Sequence, residues 1–315
     1  MKRAVGIIAM AAAIALAAAG CAGGDAAGTG DRRIAVVAST NVYAQIAQAI
    51  GGDAVDATAI ISKASQDPHE FEPSARDQLT VSRADLIIEN GGGYDAFMDQ
   101  LVEASGTTAP VLTAVEFSHD WPGGSAHDDS EDGDGHDHGH VDGFNEHVWY
   151  DPATMGELAA GIASQLEVLS PDDAATFTAN VETFRAGIAD LENRLADIDA
   201  AHAVAPVFVT EPAPLPLVDA AGLHDVTPPA FSEAVEEGQD VAPATLLEAM
   251  RLLESGDVQV VIANAQTGGA ETTQIIEEAQ TRGIPVLEFT ETLPADTTYL
   301  EWMAQNIDAL RSALQ

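Results

Sequence analysis

Residues 170–202, SPDDAATFTANVETFRAGIADLENRLADIDAAH, carry the clearest periodicity in the chain. Apolar side chains fall at Phe177, Val181, Phe184, Ile188, Leu191, Leu195 and Ile198. Steps that alternate between four and three keep them on one face of an α-helix. Ser170 offers a cap, Pro171 suits a first helical turn, and Asp172 and Asp173 suit the positive end of the helix dipole. A helix from Pro171 to His202 would be roughly 45–50 Å long at 1.5 Å per residue, longer than one small domain requires. It reads as a rigid beam packed along two lobes. A coiled-coil dimer is the rival reading, but the seam is short for one and its flanks are rich in alanine.

On the N-terminal side of the beam, strand-like runs at 33–39, 55–61, 84–89 and 111–115 alternate with helical patterns at 41–50, 74–82, 94–105 and 152–169. On its C-terminal side, strands are expected at 207–210, 258–263 and 286–289. Helices are expected there at 215–221, 244–255, 271–282 and 299–314. Strands alternating with helices imply βαβ units and parallel sheets. The expectation is an α/β fold of two lobes with parallel sheets, residues 33–169 and 204–315, joined by one long helix at 170–203.

The first residues are Met1, Lys2 and Arg3, followed by an almost unbroken apolar run from Ala4 to Ala19. A charged start, a short apolar stretch and small residues before a cleavage point read as a secretory signal over 1–20. Cys21 follows Ala18-Ala19-Gly20 in a pattern similar to a bacterial lipobox, with alanine where such boxes usually carry leucine. Cys21 is expected to be lipidated, with residues 21–32 as a flexible tether; ordinary signal cleavage beside an incidental cysteine is the alternative. It is the single cysteine in 315 residues, so one chain builds neither a disulfide nor a thiolate metal site. A hydrophobic content of 46% supports globularity, and a formal net charge of −39 argues against nucleic acid and against charge-driven membrane binding. Such a charge suits a cation binder, and equally a solubility or salt adaptation.

Two histidines sit in contexts that core filling does not explain. His69 lies in the proline-flanked run DPHEFEP (67–73), between a strand and a helix, and His147 lies in NEHVWYDP (145–152), just before a helix. Loops leaving strand ends are where open α/β sheets place ligands. Flanking prolines restrict the backbone and can fix an imidazole for coordination. Between these histidines lies a tract with His119, His127, His136, His138 and His140 among aspartates, glutamate and glycines. It cannot bury a core and reads as a loop over 119–142 that collects metal, or as a solvated acidic insert.

These runs, with ADLIIENGG (84–92), are similar to those of the metal-specific substrate-binding lipoproteins of ABC importers, the zinc-uptake and manganese-uptake family. The resemblance runs from residue 33 to 315 and includes the long helix. It implies that His69 and His147 are metal ligands from the first lobe. It places a third ligand at Glu211, after the strand VFVT (207–210), and a fourth at Glu291 in Thr290-Glu291-Thr292, where the family carries aspartate. The aromatic residue usual in the helix after the third ligand is missing here, with Pro214, Leu215 and Pro216 in that region.

Two imidazoles and two carboxylates suit tetrahedral Zn2+, and equally Mn2+ when a carboxylate becomes bidentate. The family reading implies an exported, membrane-anchored monomer that hands Zn2+ to an ABC permease and its ATPase. Mn2+ or Fe2+ is the alternative cargo. No enzymatic step is expected, because no His-Glu-x-x-His run, Gly-x-Ser-x-Gly elbow or phosphate loop occurs. An exported metal-dependent hydrolase and a surface adhesin are the rival classes.

Overall fold

The computed structural model describes residues 32–63, 66, 71–123, 141 and 143–315. The first lobe contains β1 (Ile34–Thr40), α1 (Asn41–Gly51), β2 (Val55–Ile61), α2 (Ala75–Val81), β3 (Leu86–Glu89), α3 (Phe97–Ser105), β4 (Val111–Thr113) and α4 (Pro152–Leu169). The long helix α5 (Ala174–His202) follows. The second lobe contains β5 (Pro206–Val209), α6 (Leu215–Ala220), β6 (His224–Asp225), α7 (Pro229–Glu236), α8 (Pro243–Ser255), β7 (Val260–Asn264), α9 (Ala270–Arg282), β8 (Val286–Phe289) and α10 (Tyr299–Ala313). Among the described residues the strands form two four-stranded sheets, ordered β2-β1-β3-β4 and β6-β5-β7-β8. Every pairing in both is parallel.

Burial on both faces explains why the central strands are near-continuous apolar runs. Val36, Ala38, Leu86 and Ile88 join a core that also contains Val207, Val209, Val260 and Ile262 of the second sheet. The alternate residues Val37 and Ile87 face α2 and α3, with Val81, Phe97, Met98 and Leu101. Phe208 and Val261 likewise pack with Phe231 of α7, Leu253 of α8 and Ile275 of α9. The period-two rule thus sends half of each strand into a core common to both sheets and half into a core private to one.

The common core is lined by the seam of α5. Phe177, Phe184, Ile188, Leu191, Leu195 and Ile198 are buried, and Val181 is partly buried against them. Each such side chain contributes about 1.5–3 kcal/mol on burial, against about 1 kcal/mol for a good N-cap. This helix accordingly holds without a side-chain cap at its start. Ser170 does not cap it: residues 171–173 form a 3-10 turn, and the Ser170 hydroxyl donates instead to Asp173 Oδ2 at 2.7 Å. By contrast, Asp151 caps α4 through the backbone N–H groups of Ala153 and Thr154, with Pro152 in its first turn.

Other departures are local. Residues 91–96, expected to lie partly in a helix, make a turn before α3 in which Gly91, Gly92 and Gly93 have positive φ. Both β6 and α7 were absent from the sequence reading. Hydrogen bonds tie the lobes together. Asn41 Nδ2 donates to the Leu293 carbonyl at 2.8 Å, and the Leu293 N–H donates to Asn41 Oδ1 at 2.9 Å. Tyr150 donates to the Thr290 carbonyl at 2.7 Å, and Tyr299 to the Trp149 carbonyl at 2.9 Å.

Candidate metal centre

The carboxyl ends of both sheets meet at the cleft between the lobes, where open parallel sheets place their ligands. From the first lobe come Tyr94, in the turn after β3, and the segment 145–147 before α4. From the second come Glu211 after β5, Asn264 at the end of β7 and Glu291 after β8. His147 is 1% exposed, Glu211 and Glu291 are each 3% exposed, and Glu146 is 5% exposed. Burying so many polar groups together requires matched partners or a cation.

The tautomer of His147 follows from its neighbour. The Asn145 amide Nδ2 donates to the Pro212 carbonyl at 2.9 Å, which turns Oδ1 toward the imidazole. Oδ1 lies 2.9 Å from His147 Nδ1 and also accepts the His147 backbone N–H at 3.0 Å. Nδ1 therefore carries a hydrogen, and in the neutral ring Nε2 carries the lone pair, the arrangement that outer partners impose on metal-binding histidines. The ring is held by Trp149 at a centroid distance of 5.1 Å and by Tyr94 at 5.7 Å, both in edge contact.

Glu211 and Glu291 are joined by one amide. Asn264 Nδ2 donates to Glu291 Oε1 at 2.7 Å and to Glu211 Oε1, while the Thr267 hydroxyl donates to Glu211 Oε2. Glu291 Oε2 accepts from the Tyr94 hydroxyl at 3.1 Å. Burial first, and then the charge of Glu291, raise the Tyr94 phenol well above its ordinary range, so it stays protonated and donating. The loop carrying Glu291 is fixed by Gln266, whose Oε1 accepts the backbone N–H groups of Glu291 and Thr292 at 2.6 and 3.0 Å.

A further layer holds the histidine loop. Asn90 Nδ2 donates to the Glu146 carbonyl at 2.9 Å, and Tyr43 donates to Asn90 Oδ1. Asp95 accepts the N–H groups of Asn90 and Gly91 at 2.6 and 2.8 Å, and burial pushes its carboxyl up to about 6. Gly92 combines a φ of +69° with close approach: a Cβ there would lie 3.3 Å from Glu146 Cβ. The run ENGG (89–92) thus has a stated job, to let the first lobe's turn close against the His147 loop.

Of the residues expected to ligate, His147, Glu211 and Glu291 lie in this network. His69, the loop residues His127, His136, His138 and His140, Cys21 and the segment 1–20 lie outside the described residues. His119 is at the surface, 3.3 Å from the Asp120 carboxylate. Sequence reasoning missed Tyr94, Asn264, Thr267, Glu146 and Glu236. Asn264 left a signal, as a polar residue closing an otherwise apolar strand. Glu236 belongs to the unrecognised α7, and with Glu146 and His147 it forms a group whose ligand atoms all lie within 4.8 Å of one another. Acceptor-only carboxylates around an imidazole lone pair suit the holding of a divalent cation.

A family model described as zinc-uptake complex component A, periplasmic, matches residues 36–313, and the chain belongs to that family. It is 26% identical over 190 residues to the manganese-binding lipoprotein MntA of Halalkalibacterium halodurans, covering 58% of this chain and 56% of that protein. It is 24% identical over 293 residues to the zinc-binding lipoprotein AdcA of Streptococcus pneumoniae, covering 89% of this chain and 56% of that protein. The chain therefore spans about half the length of these curated relatives. In fold it is similar to the periplasmic zinc-binding protein TroA of Treponema pallidum, with a TM-score of 0.70 at 17% identity, over 90% of this chain and 99% of that one.

Proposed function

We propose that the protein captures a divalent transition-metal ion outside the cytoplasm and delivers it to an ABC permease and its ATPase. The observation that carries this reading is the buried link across the cleft between two lobes, where Tyr94 packs on His147 and donates to Glu291, whose carboxylate shares the Asn264 amide with Glu211. His147, Glu211 and Glu291, with His69 as the fourth ligand, would hold Zn2+ tetrahedrally. The His- and Asp-rich tract, His119, His127, His136, His138 and His140, would raise the local zinc concentration, because imidazole binds zinc better than manganese. Export and a lipid on Cys21 would keep the protein at the membrane surface, as a monomer.

Manganese is the second reading. Two carboxylates in the ligand set favour an oxygen-preferring ion, and MntA, to which the chain is similar, is named for manganese binding. On either reading the protein binds and releases its ion with no covalent step, as a carrier. Elemental analysis of protein purified without added metal tests the reading. Zinc or manganese near one per chain is expected in the native protein and in a variant lacking residues 119–140, and is lost on Glu211→Ala. A stoichiometry near zero once the tract is removed would overturn the assigned centre.

A further inference from the structure

We propose that Glu236, at the end of α7, is an additional metal-contacting carboxylate, so that the ion is closed in by the second lobe's helix as well as by its strand-end loops. The inference rests on the metal-carrier reading above and adds a residue to it.

Distance is the first argument. Glu236 Oε1 lies 3.6 Å from His147 Nε2, whose side chains are 17% and 2% exposed respectively. Charge-assisted hydrogen bonds are about 2.7–2.9 Å long, so this gap exceeds a direct contact. Two metal–ligand bonds of about 2.1 Å meeting at a tetrahedral angle span about 3.4 Å, which is close to the separation found. Asn145 holds the Nδ1 hydrogen of His147, so Nε2 is the ring atom turned to Glu236, and in the neutral imidazole that ligates a metal it is an acceptor. Two acceptors facing each other are stabilised by a cation between them. Glu146 brings a third ligand atom within 4.8 Å of both.

Placement is the second argument. Glu236 follows Val235, which is buried, and Phe231 of the same helix packs edge-on against Phe208 at a centroid distance of 5.3 Å. The carboxylate is thus presented from a seated helix and not from a loose loop. The third is access: Glu236 and Thr267 line one cavity of about 320 Å³, together with Asp240 and Glu271. Thr267 donates to Glu211, so this acidic cavity runs between Glu236 and the partner of a proposed ligand. An ion in this cavity lies beside Glu236 and beside the threonine that donates to Glu211.

The test uses the whole chain with Zn2+ and Mn2+ as probes, titrated against a chelating dye, and X-ray absorption at the metal edge. Variants are Glu236→Gln, Glu236→Asp, and Glu237→Gln as a control for loss of charge, since Glu237 is an exposed neighbour. Losing one contact to the ion is expected to weaken binding by about tenfold or more in Glu236→Gln, with one fewer oxygen in the metal shell. A larger loss is expected for Mn2+, which uses more oxygen ligands than tetrahedral Zn2+. Glu237→Gln should stay within about threefold of the native protein, because exposed charge is screened. Should Glu236→Gln fail to fold, Glu236→Asp, one methylene shorter, must show the same ordering. Equal affinities in all variants with an unchanged metal shell would overturn the role of Glu236 and leave the carrier reading standing. A native protein that takes up neither ion would overturn both.

Discussion

Tyr94 and Glu291 stand 197 residues apart in the chain and meet across the cleft through a hydrogen bond of 3.1 Å from the phenol to Oε2. One hydroxyl therefore ties the turn after β3 to the loop after β8, and it orients a carboxylate by the oxygen that the Asn264 amide does not use. Hydrogen bonds to charged groups contribute about 1.5–3 kcal/mol. Tyr94→Phe is expected to keep the fold, because the ring still packs on Trp149 at 4.6 Å, while metal affinity falls about tenfold to a hundredfold. Competition with a chelator of known affinity measures this; an unchanged affinity would remove Tyr94 from the site.

Asn264 holds two carboxylates with one amide group, so its replacement acts on both. Asn264→Leu keeps the volume and removes the donor, leaving Glu211 and Glu291 to repel each other. Without metal the variant should melt lower than the native protein, by about 1–3 kcal/mol. With saturating metal the deficit should narrow, since a bound cation neutralises the carboxylate charge that the amide stabilised. Melting curves with and without Zn2+ decide it, and equal deficits in both would refute the bridging role.

Glu89 predicts an acid-side stability gain. Burial, with the charges of Asp95 and Asp99, pushes its carboxyl up to about 8, and the Thr113 hydroxyl opposes this at 2.9 Å. The folded chain keeps this proton between its ordinary value of 4.5 and about 8, whereas the unfolded chain releases it near 4.5. The folded state binds more protons in that window, so this contribution is full below it and is lost as pH rises through it. Glu89→Gln is expected to flatten the pH dependence of the melting temperature between about pH 5 and 8 and to raise stability most at the alkaline end. Denaturant titrations at two pH values measure this, and parallel curves for both proteins would count against it.

Two backbone positions beside the long helix predict opposite shifts. Val204 holds a φ of +57° at the exposed start of the second lobe, an uncommon state for a β-branched residue. Val204→Asn is expected to stabilise by about 1 kcal/mol. Gly222 has a φ of +65°, and a Cβ there would lie 1.9 Å from Asp199 Oδ1 and 2.9 Å from Asp199 Cβ. Gly222→Ala should therefore destabilise by about 1–3 kcal/mol. Calorimetry reads both signs.

Much of the fold was legible because its signals were long. The 4-3 seam of α5, the capped start of α4 at Asp151-Pro152 and the apolar strands β1, β3 and β7 each carry a pattern over enough residues to stand alone. Short elements did not. The α7 segment PAFSEAVE has only Phe231 and Val235 as large apolar residues at helical spacing, too short a pattern to stand alone, and Pro229 sits in its first turn. The parallel strand β6 has two residues. In the site, Glu211 and Glu291 were reached through register with a known family, and the partners that hold them were not. Tyr94, Asn264 and Thr267 act through positions that only the meeting of two sheets creates, and no local spacing encodes such a meeting.

The common core limits how a cleft between the two sheets can open. Phe184, Ile188 and Leu191 share one buried cluster with strands of both sheets, so swinging one sheet away from the other would wet hydrocarbon along the whole seam. Each side chain wetted costs about 2 kcal/mol, and a wide swing involves many at once. Opening is thereby confined to the strand-end loops, at 91–96, 145–147, 211–214 and 290–293. In deuterium exchange their amides should label ahead of β1, β3, β5 and β7, whose protection tracks global unfolding. On the carrier reading, the protein would work as a latch on a fixed frame, its cargo leaving without the frame coming apart.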